Sequence, residues 1–562
     1  MIVRLEPTRR SRPHRTSSRS EAGPNVIVSI TPKDLHARIV SNNELALIDL
    51  REGGVFADRH LLFANNIPLS RLELRIGALV PRRDVPVVLC GKGNDDDLIA
   101  LGAERLARFG YSDIARLNGG VDAWERAGFE LFSGVNVPSK AFGEFVEHTS
   151  GTPHIVASDL HAMMERGENM IVMDSRPMVE YHAMSIPGGI DVPGAELAYR
   201  FDDMVTDPET TVIVNCAGRT RSIIGAQSLI NAGVPNRVIA LENGTMGWHL
   251  AGYQLDRGKT ARYPEISDAG RAAAQKRREN VAARYGVKTM AFSAVQAWQN
   301  DLTRTTYLLD VRDPDEYAEG HMPGTISAPG GQLVQATDQY VGIRGARLVL
   351  VDDDEVRATM CASWLIQMGW PDVVVLDGGV DSVDNLEIGK YSPKVMGLDQ
   401  AAPAALTPDE LSNLVDAGNV CVIDLATSLQ YRDDGHVPGA WYAIRSRLGD
   451  NLKTISHGGK IVLTSPNGDL ARLAAGDAGF SGLGVQVLKG GTEAWKQAGL
   501  PVETGFTNMA DKTDDIWYRP YDLNEGGDEG AMKQYLSWEV DLVGQIERDG
   551  TTSFRTFPEN QS

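Results

Sequence analysis

Val212-Ile-Val-Asn-Cys216 is a short apolar run that stops at a cysteine, and Ile171-Val-Met-Asp174 stops at an aspartate 42 residues before it. The same pair of runs recurs three more times. Leu45-Ala-Leu-Ile-Asp49 is followed by Val87-Val-Leu-Cys90, Tyr307-Leu-Leu-Asp310 by Leu348-Val-Leu-Val-Asp352, and Val420-Cys-Val-Ile-Asp424 by Ile461-Val-Leu-Thr-Ser465. Counted from the aspartate to the last residue of the second run, the separations are 41, 42, 42 and 41 residues. So constant a period marks an internal repeat. Apolar runs of four or five residues alternating with helix-like stretches predict an α/β fold in which each repeat is a parallel β-sheet flanked by helices. Each repeat closes on a Gly-rich turn: Leu117-Asn-Gly-Gly120, Leu241-Glu-Asn-Gly244, Leu376-Asp-Gly-Gly379 and Leu488-Lys-Gly-Gly491.

Extended outward, the repeat predicts four tandem domains over residues 26–135, 150–260, 289–395 and 404–505. A chain of 562 residues has room for about three to five domains at ordinary domain size. Residues 1–25 hold six Arg with Ser and Pro but no apolar stretch, and are expected to be a disordered extension rather than a secretory signal. The Ala-, Arg- and Lys-rich segment 261–288 is expected to be a helical linker with a solvated basic face. The junctions at 134–152 and 393–406 read as short linkers. Residues 506–562 form an acidic and aromatic tail with an amphipathic helix expected near Ala531–Ile546, its aromatics docking on a repeat or on a second subunit.

Composition narrows the function classes. Lys and Arg total 55 against 75 Asp and Glu, a formal charge of −20. Such a surface disfavours nucleic acid and anionic membranes, and an anionic substrate would need a local basic pocket. No apolar run is long enough to span a bilayer. Four cysteines without a CxxC pair exclude a disulfide scaffold and give no zinc site or other cofactor signature; this usage suits a reducing, cytoplasmic setting.

The chemistry is expected where the second run of each repeat ends, because ligands bind beyond the carboxyl ends of parallel strands. Backbone N–H groups and a helix N-terminus there can hold an anion or a thiolate. Repeat two places Cys216-Ala217-Gly218-Arg219-Thr220-Arg221-Ser222 at this point. Cys216 is the expected nucleophile. Arg219 and Arg221 are expected to lower its pKa and hold an oxyanion, and residues 217–222 to bind substrate. Repeat one has Cys90-Gly-Lys-Gly with three Asp following, so Cys90 is a candidate second nucleophile in a poorer field. Repeat three carries Asp352-Asp-Asp-Glu355 and repeat four Ser465-Pro-Asn-Gly-Asp469; both read as inactive, the acidic loop of repeat three as unable to hold an anion. Cys361 and Cys421 read as packing residues.

At this point the chain resembles the rhodanese (sulfurtransferase) family over residues 26–505. Asp174-Ser-Arg176, Glu180-Tyr181 and Ile186-Pro-Gly188 are similar to its D-x-R…E-[YF]…H-I-P-G signature, with Ser185 where His is usual. Asp310-Val-Arg312 with Gly320-His-Met-Pro-Gly324, Asp49-Leu-Arg51 with His60, and Gly435-His-Val-Pro-Gly439 repeat parts of it, while Ala426 replaces the Arg in repeat four. The resemblance implies a persulfide on Cys216, formed from thiosulfate or a similar small anionic donor and passed to a thiol or cyanide. It also implies that Asp174, Arg176 and Glu180 are structural. Related phosphatases carry C-x5-R; Ser222 stands where that Arg would be, which favours sulfur transfer. A second reading is a largely non-catalytic scaffold that binds a sulfur-carrier or other protein partner. A homo-oligomer is compatible with either.

Overall fold

The structure, a computed structural model, describes residues 27–93, 96–455, 459–477, 484–524 and 527–557; the extension expected over residues 1–25 lies outside them. Among the described residues the chain builds four five-stranded sheets, each from one repeat, with one strand order. By position in the repeat that order is first, fifth, fourth, second, third. All pairings within the sheets are parallel, as the central Met170–Asp174, Thr211–Asn215 and Val238–Leu241 strands of repeat two illustrate. The apolar runs are strands because helices on both faces bury them from both sides: Val212, Ile213 and Val214 are all fully buried.

The aspartate that ends the second strand is a buried anchor. Asp174 takes two hydrogen bonds from the Arg176 guanidinium, at 2.8 and 2.7 Å, and Arg176 also donates to the Met184 carbonyl. Arg51 on Asp49 and Arg312 on Asp310 repeat this geometry. Charge pairing and a third, carbonyl partner satisfy an ion pair that burial would otherwise penalise. Repeat four lacks the Arg, and Asp424 instead accepts from the Ala426 N–H and the Thr492 hydroxyl.

The repeats pack as one body. In one apolar core Ile76 and Leu79 of repeat one lie with Tyr307 and Leu348 of repeat three and with Phe142 of the segment between repeats one and two. Arg445 of repeat four donates to Glu73 of repeat one at 2.8 Å, and Trp364 of repeat three donates to Ser228 of repeat two at 2.9 Å. The basic linker is the helix Asp268–Tyr285, wedged against the helices Glu196–Met204 and Val356–Gln367. Its arginines pair across the junction, Arg277 with Asp202 and Arg278 with Glu355, rather than forming a free basic face.

Two segments differ from expectation. Residues 134–152 are not a simple linker: Val137–Ser150 is a 14-residue helix. Pro138 sits in its first turn, where a missing N–H costs nothing, and Gly143 lies against Thr220, where a Cβ would meet the Thr220 side chain at 2.9 Å. The tail helix runs Glu529–Asp549, longer than Ala531–Ile546, and packs along Val137–Ser150. Leu542 and Ile546 are buried among Leu62, Phe132, Val137 and Ala141, and Phe554 sets its ring edge-on to Phe142 at 5.1 Å.

Candidate active site at the Cys216 loop

Cys216 is the first residue beyond the strand Thr211–Asn215, and Thr220 opens the helix Thr220–Ala232. The Ser222 N–H and hydroxyl stand beside the Cys216 sulfur and favour its thiolate, the hydroxyl donating to the Arg219 carbonyl at 2.8 Å. In two other repeats the N–H at the matching position, six residues on, donates to the side chain at the strand end: Ala358 to Asp352 at 3.2 Å and Ala471 to Ser465 at 3.2 Å. The loop is therefore an N–H cradle in repeats two, three and four, differing in the atom that it holds.

The Gly-rich turn supports the loop from below. Thr245 N–H donates to the Cys216 carbonyl at 2.8 Å and Met246 N–H to the Ala217 carbonyl at 3.0 Å. This approach requires Gly244, whose φ is +53° and whose place a Cβ could not share with the Cys216 carbonyl oxygen.

The charges around the loop are balanced, not positive as the sequence suggests. Arg221 donates to Glu180 at 2.8 Å through both terminal nitrogens and to Gln332 of repeat three at 3.1 Å. Arg219 is drawn onto the helix Val137–Ser150, bonding Glu144 at 2.7 and 2.9 Å and also Glu147. Burial pushes the Cys216 thiol above its ordinary range; Arg221 and the Ser222 donors oppose this, and Glu539 reinforces it. The thiol is thus not activated in advance by two free arginines. Of the two, Arg221 is the one that favours the thiolate, and Arg219 is a structural clamp.

Register settles where Cys90 stands. Asp49 pairs with Cys90 across the sheet as Asp174 pairs with Asn215, so Cys90 is the counterpart of Asn215. Gly91 occupies the position of Cys216, and its carbonyl accepts from the Val121 N–H at 3.0 Å as that of Cys216 accepts from Thr245. Cys90 is fully buried in strand packing, its thiol pushed up by burial and by Asp49. Cys361 and Cys421 are also buried, in the helix Val356–Gln367 and the strand Val420–Asp424.

Repeat three corrects the expectation that its loop cannot hold an anion: it holds its own. Asp352 fills the cysteine position and accepts from the backbone N–H groups of Arg357 (2.7 Å) and Ala358 and from Arg357 Nε (3.0 Å). Arg357 corresponds to Arg221. It donates to Glu316 of its own repeat at 2.6 Å and to Glu196 of repeat two at 2.7 Å. Arg221 treats Glu180 and Gln332 in the same way, so repeats two and three face each other across a pseudo-twofold axis with their loops at the junction.

Several residues around Cys216 come from outside the repeat. A Cβ at Gly218 would lie 3.0 Å from Glu539 Oε2 and 3.3 Å from the Tyr535 ring, both on the tail helix. Thr220 reaches Glu539 at 3.4 Å, and Tyr521 donates to Thr245 at 3.1 Å. Met532 and Leu536 pack on Met246. Lys140 sits buried among the rings of Trp517, Tyr535 and Trp538, its ammonium 4.8–5.2 Å from the centroids. Among the described residues no three His, Cys, Asp or Glu side chains cluster so as to hold a metal ion, and no helix is long and apolar enough to cross a membrane.

The rhodanese-like domain model matches residues 31–127, 156–251, 293–385 and 407–498. A thiosulfate sulfurtransferase from Pseudomonas aeruginosa, known from a crystal structure, superposes with a TM-score of 0.90 at 48% identity, over 95% of this chain and 100% of that one. The SseB protein of Mycobacterium tuberculosis is 26% identical in an alignment of 250 residues that covers 34% of this chain and 87% of SseB. An HTH-type transcriptional regulator of the same organism is 34% identical over 110 residues, 19% of this chain; the chain spans 47% of that regulator's length. With four matches that span most of its length, one in each sheet-bearing repeat, the chain belongs to the rhodanese-like family.

Proposed function

We propose that this chain is a sulfurtransferase that carries sulfane sulfur as a persulfide on Cys216, taking it from thiosulfate or a similar anionic donor and giving it to a thiol or cyanide. The observation that carries the reading is the Cys216 sulfur between the end of the strand Thr211–Asn215 and the start of the helix Thr220–Ala232, with Arg221 and Ser222 beside it favouring its thiolate. The other three loops offer Gly91, Asp352 and Ser465 at that position. The 48% identity to a thiosulfate sulfurtransferase along nearly the whole chain supports the same chemistry.

In the first step the Cys216 sulfur attacks the outer sulfur of thiosulfate. The S–S bond breaks with its electron pair leaving on sulfite, the thiol proton departs with it as hydrogensulfite, and the persulfide anion remains on the enzyme. Arg221 and the loop N–H groups stabilise that anion. In the second step an acceptor thiol takes the outer sulfur: its sulfur attacks, the S–S bond breaks with its electron pair on the Cys216 sulfur, the acceptor's proton passes to that sulfur, and the Cys216 thiol is restored as the acceptor leaves as a persulfide anion. Two half-reactions on one sulfur require ping-pong kinetics. Initial rates over a grid of thiosulfate and thiol concentrations are expected to give parallel double-reciprocal lines. Lines meeting at a common point would replace the covalent carrier with direct transfer in a ternary complex.

A scaffold reading draws on the charge-balanced loop and the three repeats without a nucleophile. It predicts no sulfite release from thiosulfate at all.

A further inference from the structure

The tail helix Glu529–Asp549 is not a detachable cover on the Cys216 loop. Its buried face continues into the same packing that holds Phe132 and Val137, and its far end is tied to repeat one by Arg548 on Glu130 at 2.9 Å and by Gln545 on the Leu131 carbonyl at 2.8 Å. It is therefore a fixed wall of the site. Glu539 is the polar group that this wall turns toward the loop. Its residue is 1% exposed. Oε1 accepts from the Tyr535 hydroxyl at 2.9 Å and lies 3.4 Å from the Thr220 hydroxyl, whereas Oε2 has no hydrogen-bond partner among the described residues and stands over Gly218. A buried carboxyl oxygen without a partner is costly, and here it faces the loop that the first half-reaction uses.

Building on the sulfurtransferase reading, we propose that Glu539 is a donor-selecting residue of the Cys216 site: as the carboxylic acid it gives the Oε2 hydrogen to a sulfonate oxygen of the donor, and as the carboxylate it repels a dianion. Gly218 brings the loop backbone directly against this oxygen, since a Cβ there would meet Oε2 at 3.0 Å and the Tyr535 ring at 3.3 Å. The groups that face Glu539 are Lys140 and Glu144 of the helix Val137–Ser150, Cys216 and Arg219 of the loop, and Tyr535 on its own helix. Lys140 is the cation that most favours the carboxylate, but burial lowers it to about 8 and its ammonium faces three aromatic rings. Arg219 is already bonded to Glu144 and Glu147. Burial is the largest influence on Glu539 and raises its carboxyl above the ordinary range, with Lys140 opposing. The acid form thus persists to higher pH than for an exposed glutamate.

The test compares kcat/KM for thiosulfate with kcat/KM for a neutral organic trisulfide between about pH 6 and pH 9. Both donors need the same Cys216 sulfur, so its titration cancels in their ratio. In the wild-type protein the ratio is expected to fall by more than about twofold as the pH rises, because the carboxylate repels a dianion. In Glu539→Gln, which stays neutral and keeps a donor, the ratio is expected to change less than about twofold. A wild-type ratio that is flat with pH overturns the proposal without recourse to any variant, and so does a Gln variant whose ratio falls as steeply as the wild type. If the protein releases no sulfite from thiosulfate at any pH, the sulfurtransferase reading itself fails; if it does so and the ratio is flat, only the role of Glu539 fails.

Discussion

Cys216→Ser is expected to reduce thiosulfate-dependent sulfur transfer by at least about a thousandfold, because a hydroxyl without an adjacent base cannot attack sulfane sulfur or store it. The variant should fold normally, since the loop is held by backbone bonds from Thr245 and Met246 and by the arginine clamps, none of which uses the thiol. Cys90→Ala is the matched comparison. Cys90 stands at the register position of Asn215, buried behind the loop, and its loss should leave turnover within about twofold of wild type. Initial rates of sulfite release measure both. Equal losses in the two variants would mean that sulfur passes through Cys90, contrary to the register of the sheet.

The largest effect on stability is expected at Arg357. Its guanidinium is fully buried and binds four carboxylates, Asp352, Asp353 and Glu316 of repeat three and Glu196 of repeat two. Arg357→Met keeps much of the side-chain volume but removes the guanidinium that balances Asp352 inside the loop cradle. Stripping one partner from a buried ion network costs about 3–5 kcal/mol. The loss should appear in urea unfolding as a lower midpoint for the transition that includes repeats two and three. Asp352→Asn in the same background is expected to restore part of it, because the amide carries no charge that needs Arg357. A single Met variant as stable as wild type would mean that the network contributes no net stability. The pseudo-twofold relation adds a functional consequence: Glu196 and Gln332 sit at matched positions, so weakening repeat three also loosens the Gln332 contact on Arg221.

Much of the fold is legible because short apolar runs in a parallel sheet have a distinctive spacing, and four copies of one spacing leave few alternatives. The same constancy conceals a slip. The apolar run of repeat one ends on Cys90, and counting to it gives 41 residues, whereas in repeat two the strand ends on Asn215 and the cysteine follows. A one-residue difference in where a strand stops is fixed by cross-strand pairing with Asp49, which composition does not reveal. Arg357 escapes notice for a related reason: next to four acidic residues it reads as part of an inert loop, although it lies five positions after Asp352 as Arg221 does after Cys216.

The site is legible in its loop and illegible in its walls. Cys216 and Arg221 announce themselves by adjacency. The partners that decide how the arginines are used come from far away along the chain: Glu144 is 75 residues from Arg219, and Glu539 is 319 residues from Thr220. The helix that carries Glu144 is hidden by Pro138 and Gly143, which read as linker residues until the first-turn position of the one and the contact of the other with Thr220 are known. Tyr535 and Glu539 lie on a tail that belongs to no repeat, so nothing in the repeat pattern assigns them to a site.

The most direct measurement is the intact mass of the protein after brief treatment with thiosulfate, followed by peptide mapping of the four cysteines. One added sulfur, about 32 Da, is expected on the peptide that contains Cys216, removed by a thiol or by cyanide with return of the original mass. An unmodified mass together with sulfite release, or a sulfur found on Cys90, Cys361 or Cys421 instead, would contradict a persulfide carried on Cys216.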